Sequence, residues 1–197
     1  MRIYESVVQG SDEWKYLRLG KFTASTIPDL FSKPTTATYQ NAINKVVFEK
    51  ITGELPESFS NEWMQRGVEL EPEAREIYEI TTFNKVEVVG FVEKSEWLGC
   101  SPDGLIGKDG MVQIKCPKYS TIVSYYLDKK IPKDYEIQMQ AEMWVADRKW
   151  SDFMAYHPKL KPLIIRTKRN TDLINEISAK VEEAIQEVDK RIKIIGG

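Results

Sequence analysis

The sequence predicts an α/β fold, a central mixed β-sheet flanked by helices, and three observations carry that prediction. Apolar residues recur at helical spacing in long stretches, above all Leu173 to Ile192, where Ile177, Val181, Ile185, Val188 and Ile192 fall near one stripe. Short β-branched and aromatic runs fill the intervals between them. A segment from Trp97 to Cys116 folds about Gly107-Lys108-Asp109-Gly110, where Asp-Gly supplies the positive φ that hairpins need. With 197 residues and no internal repeat, low-complexity segment or Pro/Gly linker, the chain reads as one domain over 1–197.

The elements follow in order. Ser11-Asp12 reads as a helix cap ahead of Trp14, Leu17 and Leu19. Ser25 to Phe31 reads as a short helical turn, and Tyr39 to Thr52 as a helix with Ile43, Val46, Val47 and Ile51 at its period. Asn61 to Thr82 reads as a long helix bent or restarted at Pro72. Val86 to Val92 alternates as a strand. Trp97 to Asp103 and Met111 to Cys116 read as the two antiparallel strands of the hairpin. Thr121 to Lys129 and Tyr135 to Val145 read as helices, Trp150 to Tyr156 and Leu163 to Thr167 as strands, and Leu173 to Ile192 as the last helix. Its stripe reads as core.

Composition narrows the chemistry. No apolar run is long enough to span a membrane, and Met1 to Gly10 is mixed polar, which does not read as a signal peptide. Cys100 and Cys116 are too few and too scattered for a disulfide framework or a zinc site, and a reducing cytoplasm fits them. His157 is the single histidine, which argues against His-based chemistry and reads as packing or capping a strand end. A net charge of −2 is not that of a protein that coats DNA nonspecifically, although a local groove needs no basic surface elsewhere. The densest basic stretch, Lys159, Lys161, Arg166, Lys168 and Arg169, reads equally as a backbone-tracking edge or as a strand edge protected by charge.

The hairpin carries the chemistry. Side chains alternate along a strand, so Gln113 and Lys115 share one face while Ile114 points to the other. Folding about the turn brings Asp103 to the residues around Ile114. Asp103, then Glu-x-Lys ten residues on, is the spacing of a metal-dependent nuclease core, and here Gln113 stands at the Glu position. Paired carboxylates hold Mg²⁺, which takes oxygen ligands and activates water against a phosphate. A neighbouring Lys orients the attacking hydroxide or neutralises transition-state charge. Gln offers a neutral carbonyl oxygen, so a weaker metal site and a large loss of rate are expected. The change reads as one introduced to trap a complex, with a natural inactive copy as the second reading. Singly, Pro-Asp-Gly is a common turn and Gln-Ile-Lys a common half-buried strand.

Further runs reinforce the short motif. They are Gln9-Gly10-Ser11-Asp12-Glu13-Trp14, Arg18-Leu19-Gly20, Thr23-Ala24-Ser25, Gly67 to Arg75 with Glu71-Pro72, Ser101-Pro102-Asp103-Gly104, Lys115-Cys116-Pro117, Gln138-Met139-Gln140 and Met143-Trp144-Val145. In order and over residues 9 to 160 the sequence resembles the lambda exonuclease (YqaJ-type viral recombinase) family of PD-(D/E)xK nucleases. The resemblance implies a restriction-endonuclease-like core and one exonuclease domain. It implies a 5′→3′ exonuclease on double-stranded DNA ends with a 5′-phosphate, Mg²⁺ as cofactor with Mn²⁺ as a substitute, a single-strand annealing protein as partner and a homotrimer. A phage or prophage protein in the bacterial cytoplasm follows. By position it implies metal ligation by Asp103, by residue 113 and by the backbone carbonyl of Ile114. Lys115 is the catalytic lysine, Glu71 an active-site carboxylate and Gln138 a lining glutamine. Arg18, Ser25 and Ser101 hold the 5′-terminal phosphate.

Arg presents a rigid fork to phosphate oxygens, and Ser25 sits where a helix should begin, an end that attracts anions. Of Gln138 and Gln140, two apart on a helix, only one can face the site, and Gln138 is the expected one. A basic residue that the family places after the lysine is here Thr121, with Lys118 as a candidate substitute. Two other readings stand beside the exonuclease: another PD-(D/E)xK endonuclease or helicase-associated nuclease, and an inactive protein that binds DNA ends.

Overall fold

The computed structural model describes residues 1–56 and 62–196. Among the described residues eight strands and six α-helices follow the predicted order closely. They are β1 (Arg2–Tyr4), α1 (Asp12–Arg18), β2 (Phe22–Thr23), a 3-10 turn (Ile27–Phe31), α2 (Ala37–Thr52), α3 (Glu62–Thr82), β3 (Phe91–Ser95) and β4 (Leu98–Cys100). Then come β5 (Gly104–Ile106), β6 (Gly110–Lys115), α4 (Tyr119–Asp128), α5 (Lys133–Val145), β7 (Trp150–Ala155), β8 (Leu163–Lys168) and α6 (Thr171–Gly196). The expected helix start at Asn61 lies outside the described residues.

The mixed sheet is present as two four-stranded mixed sheets. One has the order β1-β3-β4-β2, the other β5-β6-β7-β8. In the second, β6 pairs antiparallel with β5 and parallel with β7, the α4–α5 segment making the crossover that a parallel pair requires. Tyr39, Ile43, Val46 and Val47 of α2 and Ile177, Val181, Ala184 and Val188 of α6 meet in one apolar core with Phe22, Val92 and Leu98. The stripe on α6 is therefore core, as its period predicts. Among the described residues no helix is long and apolar enough to cross a membrane.

Two strand assignments are corrected. The expected strand Val86–Val92 is instead β3 at Phe91–Ser95, preceded by one bridge between Glu87 and Leu105. Glu87 bonds to Leu105 in both directions at 2.8 Å, and Gly90 N then donates to Tyr4 O at 2.9 Å, so the segment changes sheets part-way. A side chain at Gly90 would strike Val7 O at 2.1 Å, which is why glycine stands at this crossing.

The expected strand Trp97–Asp103 divides likewise. Leu98–Cys100 pairs with β3 and β2, while only Gly104–Ile106 forms the hairpin with β6. Pro102 has no N–H for a ladder, so the chain leaves one sheet at Ser101 and enters the other at Gly104. The positive φ of the hairpin turn falls on Gly107 (51°), not on the Gly of Asp109-Gly110.

Candidate active site

The Ser101–Asp103 loop between the sheets faces two polar clusters. Asp103 Oδ2 accepts the backbone N–H of Ile114 at 2.6 Å and a hydrogen bond from Gln113 Nε2. The hairpin thus brings Asp103 to Gln113 and Ile114, as the spacing predicts. Gln113 is buried at 2% exposure, and Gln138 Nε2 on α5 donates to its Oε1 at 2.9 Å. Gln140 turns away, accepting Asn170 N at 2.8 Å and donating to Lys168 O at 2.9 Å. Only Gln138 faces the site, as helix geometry requires.

Glu71 arrives from α3, one residue before Pro72. Arg75, one turn on, bonds Glu71 Oε1 through Nη2 and the Asp103 carbonyl through Nε at 3.2 Å, so one guanidinium ties helix to loop. Burial and then the nearby Asp103 push the Glu71 carboxyl up to about 7, against the pull of Arg75 and Lys115. Burial also raises Asp103, although Lys115 and the two hydrogen bonds oppose it. Lys115 Nζ lies 4.8 Å from the centre of the Tyr135 ring.

Ser101 belongs to the second cluster. Its Oγ accepts from Trp14 Nε1 at 2.8 Å and from Arg18 Nη1 at 3.1 Å. The Arg18 guanidinium lies 4.2 Å over the Trp14 ring, and Nη2 approaches Thr23 Oγ1 at 3.4 Å, itself 3.2 Å from Ser25 Oγ. Arg18, Ser25 and Ser101 therefore share one hydroxyl-lined cluster. Burial lowers the Arg18 guanidinium to about 10, still charged at neutral pH. The turn after Arg18 is pinned by Gly20, φ 68°, whose N–H donates to the buried Glu49 carboxylate at 2.8 Å. Ser25 is not at an α-helix start: the turn that follows is a five-residue 3-10 element capped at Thr26, with Pro28 in its first positions. The helix-dipole argument for Ser25 fails, and its place rests on the hydroxyl contact. A cavity of about 940 Å³, lined by Val7, Trp14, Val68, Glu71 and Arg75 among others, opens beside both clusters.

Glu142 is the residue that sequence reasoning missed. It lies on α5 one turn beyond Gln138, is 1% exposed, and accepts from Gln138 Nε2 at 2.8 Å. Burial and then Asp103 push it up to about 8. Of the basic stretch, Arg166 is held by Asp152 at 2.7 and 2.8 Å, and Arg169 by the carbonyls of Met143 and Arg148. These two serve the fold, which favours the protected-edge reading for them. Lys118 stands at the N-cap position of α4 without a side-chain cap bond, and Thr121 lies in the helix's first turn. His157 Nδ1 accepts Lys159 N at 3.2 Å, a local cap as expected. Among the described residues no group of three or more His, Cys, Asp or Glu stands in metal-binding geometry. The available donors are Asp103, Glu71, Glu142, the Gln113 carbonyl oxygen and backbone carbonyls.

The model of the YqaJ-like viral recombinase domain matches residues 13–149, which include both clusters. The chain belongs to the YqaJ-like viral recombinase domain family. This YqaJ-like chain superposes on the crystal structure of LHK-Exo in complex with dAMP with a TM-score of 0.88 at 35% identity, over 94% of this chain and 96% of that one. It matches the alkaline exonuclease LHK-Exo from Laribacter hongkongensis with the same TM-score and coverage at 34% identity. A phage-related exonuclease from Haemophilus somnus 129PT shares the fold at a TM-score of 0.71 and 18% identity, over 91% and 98% of the chains. No curated protein matches the YqaJ-like chain.

Proposed function

We propose that this chain is one nuclease domain, a divalent-metal-dependent 5′→3′ exonuclease on double-stranded DNA, weakened at Gln113. The observation that carries the reading is the Ser101–Asp103 loop. Its serine joins Arg18 and, through Thr23, Ser25, while its aspartate joins Gln113 and Ile114. A phosphate held by the first cluster would leave the adjoining phosphodiester near the second. Such an end-binding pocket suits exonucleolysis better than internal cutting. The 34–35% identity to an alkaline exonuclease supports the same class.

The residues fit a hard cation in kind, since carboxylate, carboxamide and carbonyl oxygens are on offer, once the Gln113 carboxamide turns its oxygen from Gln138 toward Asp103. Asp103, the Gln113 side-chain oxygen and the Ile114 carbonyl would hold it, with Glu71 beside them; they fall short in charge at position 113. When bound, Mg²⁺ or Mn²⁺ supplies Lewis-acid polarisation of the phosphate and an activated water. Lys115 neutralises charge that develops on the phosphate oxygens. Arg18 presents two donors to the terminal phosphate from the face of Trp14, with Ser101 and Ser25 completing its shell. Gln138 fixes the orientation of residue 113, and Arg75 holds Glu71 against the loop.

The resemblance extends the proposal to a homotrimer and to a single-strand annealing partner in phage-type recombination in the bacterial cytoplasm. The test is digestion of linear duplex DNA with and without 5′-phosphate by the Gln113→Glu variant. Release of mononucleotides from phosphorylated 5′ ends is expected. Equal rates on 5′-hydroxyl ends would favour the endonuclease reading, and end binding without cutting would favour the binding-protein reading.

A further inference from the structure

Helix α3 carries an exposed stripe. Glu69, Glu73, Glu76, Ile80 and Phe83 follow one another at intervals of four and three residues, so they lie on one face of the helix and just past its end. Phe83 is 94% exposed. It ends the helix in the left-handed region, φ 58°, with its N–H on Glu79 O at 2.8 Å. Gly53 takes that position after α2, φ 69°. A bulky side chain there strains the backbone, and no core contact compensates. Helix α4 carries a second stripe of Tyr119, Val123 and Leu127, all exposed, Leu127 at 77%. Exposed lysines flank it, Lys118 before and Lys129, Lys130 and Lys133 after, and Asp128 is the single acid between Lys118 and Lys133. The two stripes cannot meet within one chain. Met154 of β7 packs with Ala74 and Tyr78 of α3, its neighbours Phe153 and Ala155 with Ile122 and Tyr125 of α4, so the helices lie on opposite faces of the second sheet.

We propose that the C-terminal end of α3 in one copy docks on α4 of a second copy of this chain. The inference rests on the homotrimer of the reading above and names the surfaces that build it. Exposed apolar side chains in a row, rimmed by charge of one sign, mark a contact surface, and the opposite charge rims the other stripe. Laid antiparallel, Ile80 and Phe83 cover Leu127, Val123 and Tyr119, while Glu73 and Glu76 meet Lys129 and Lys130. Two unlike patches on opposite faces of a sheet join head to tail, and such a contact closes into a ring when its rotation allows. Helix α3 also carries Glu71, and α4 begins four residues after Lys115. Each contact therefore braces the acid-bearing helix of one copy against the segment that follows its neighbour's lysine.

The experiment is sedimentation velocity on the full chain, on Phe83→Asn, on Leu127→Glu and on an equimolar mixture of the two variants, with circular dichroism as the check of folding. Asparagine tolerates the left-handed region and glutamate suits an exposed helical position, so both variants should keep the parent's spectrum. Ile80→Glu and Val123→Glu repeat the two arms from neighbouring exposed positions, so a variant that loses its fold does not decide the outcome. The expected result is an oligomer for the parent and association at least about tenfold weaker for each variant alone. The mixture should form a dimer and nothing larger, because one intact pair of stripes survives in it. Variants that associate like the parent overturn the proposal and leave the homotrimer standing. A mixture that stays monomeric overturns the head-to-tail contact. A monomeric parent overturns the homotrimer itself and leaves the nuclease chemistry, read by Gln113→Glu on DNA, untouched.

Discussion

Gln138 Nε2 donates to Gln113 Oε1 at 2.9 Å, and this bond decides which end of the Gln113 carboxamide faces Asp103. The amide nitrogen is turned to the acid, where it donates. A glutamate at 113 would remove that donor and set a second negative charge beside Asp103. Without divalent cations Gln113→Glu should therefore cost about 1–3 kcal/mol, a fall in Tm of several degrees, and Mg²⁺ should reverse it. Differential scanning fluorimetry in chelator and in Mg²⁺ measures both. An unchanged Tm in chelator would contradict the geometry.

If the Arg18–Ser101 cluster holds a 5′-phosphate, as proposed, it discriminates at the 5′ end. Arg18 is aimed by the Trp14 face and by Ser101. Lysine keeps the charge but not the planar fork. In the Gln113→Glu background, Arg18→Lys should lower the rate ratio of 5′-phosphate to 5′-hydroxyl ends by about tenfold or more. Loss of rate on both ends alike would mean that Arg18 merely supports the fold.

A pH dependence follows from the buried acids. Burial raises Glu71 from 4.5 to about 7 and Glu142 from 4.5 to about 8. Between about 4.5 and 8 the folded chain therefore binds more protons than the unfolded chain, and stability falls as pH rises through that window. In chelator, Tm should be higher at pH 6 than at pH 9, and Glu142→Gln should flatten the slope. A Tm that climbs over this range contradicts the assignment.

Helix α3 is held to the second sheet by Tyr78, whose buried hydroxyl donates to Asp152 Oδ2 at 2.6 Å, and by the Tyr156–Glu73 bond. Since α3 also carries Glu71, these contacts position the site. Tyr78→Phe should cost about 1–2 kcal/mol in urea unfolding at an unchanged slope, Asp152 keeping Arg166 as a partner. No change would mean that the hydroxyl is not the clamp.

What the sequence revealed and what it hid have physical causes. The α6 stripe was legible because one buried face leaves a period, and Ile177, Val181 and Val188 are buried as that period requires. The meeting of Asp103 with residue 113 was legible because a short hairpin fixes its own geometry. Which sheet Leu98–Cys100 joins was not, because Val92 and Phe22, the partners that decide it, are set by tertiary packing. Glu142 was hidden because every residue from Ile137 to Met143 is buried. A helix buried all round shows no contrast between a solvated acid and one turned inward.

On the proposed reading this chain carries a nuclease site with one oxygen ligand neutralised. The most direct measurement compares it with Gln113→Glu on linear duplex DNA bearing 5′-phosphate, in Mg²⁺, following release of mononucleotides. Release from 5′ ends by the Glu variant is expected at a rate at least about a hundredfold above the parent. If neither protein cuts while both bind DNA ends, the chain is an end-binding protein on a nuclease fold and not a disabled exonuclease.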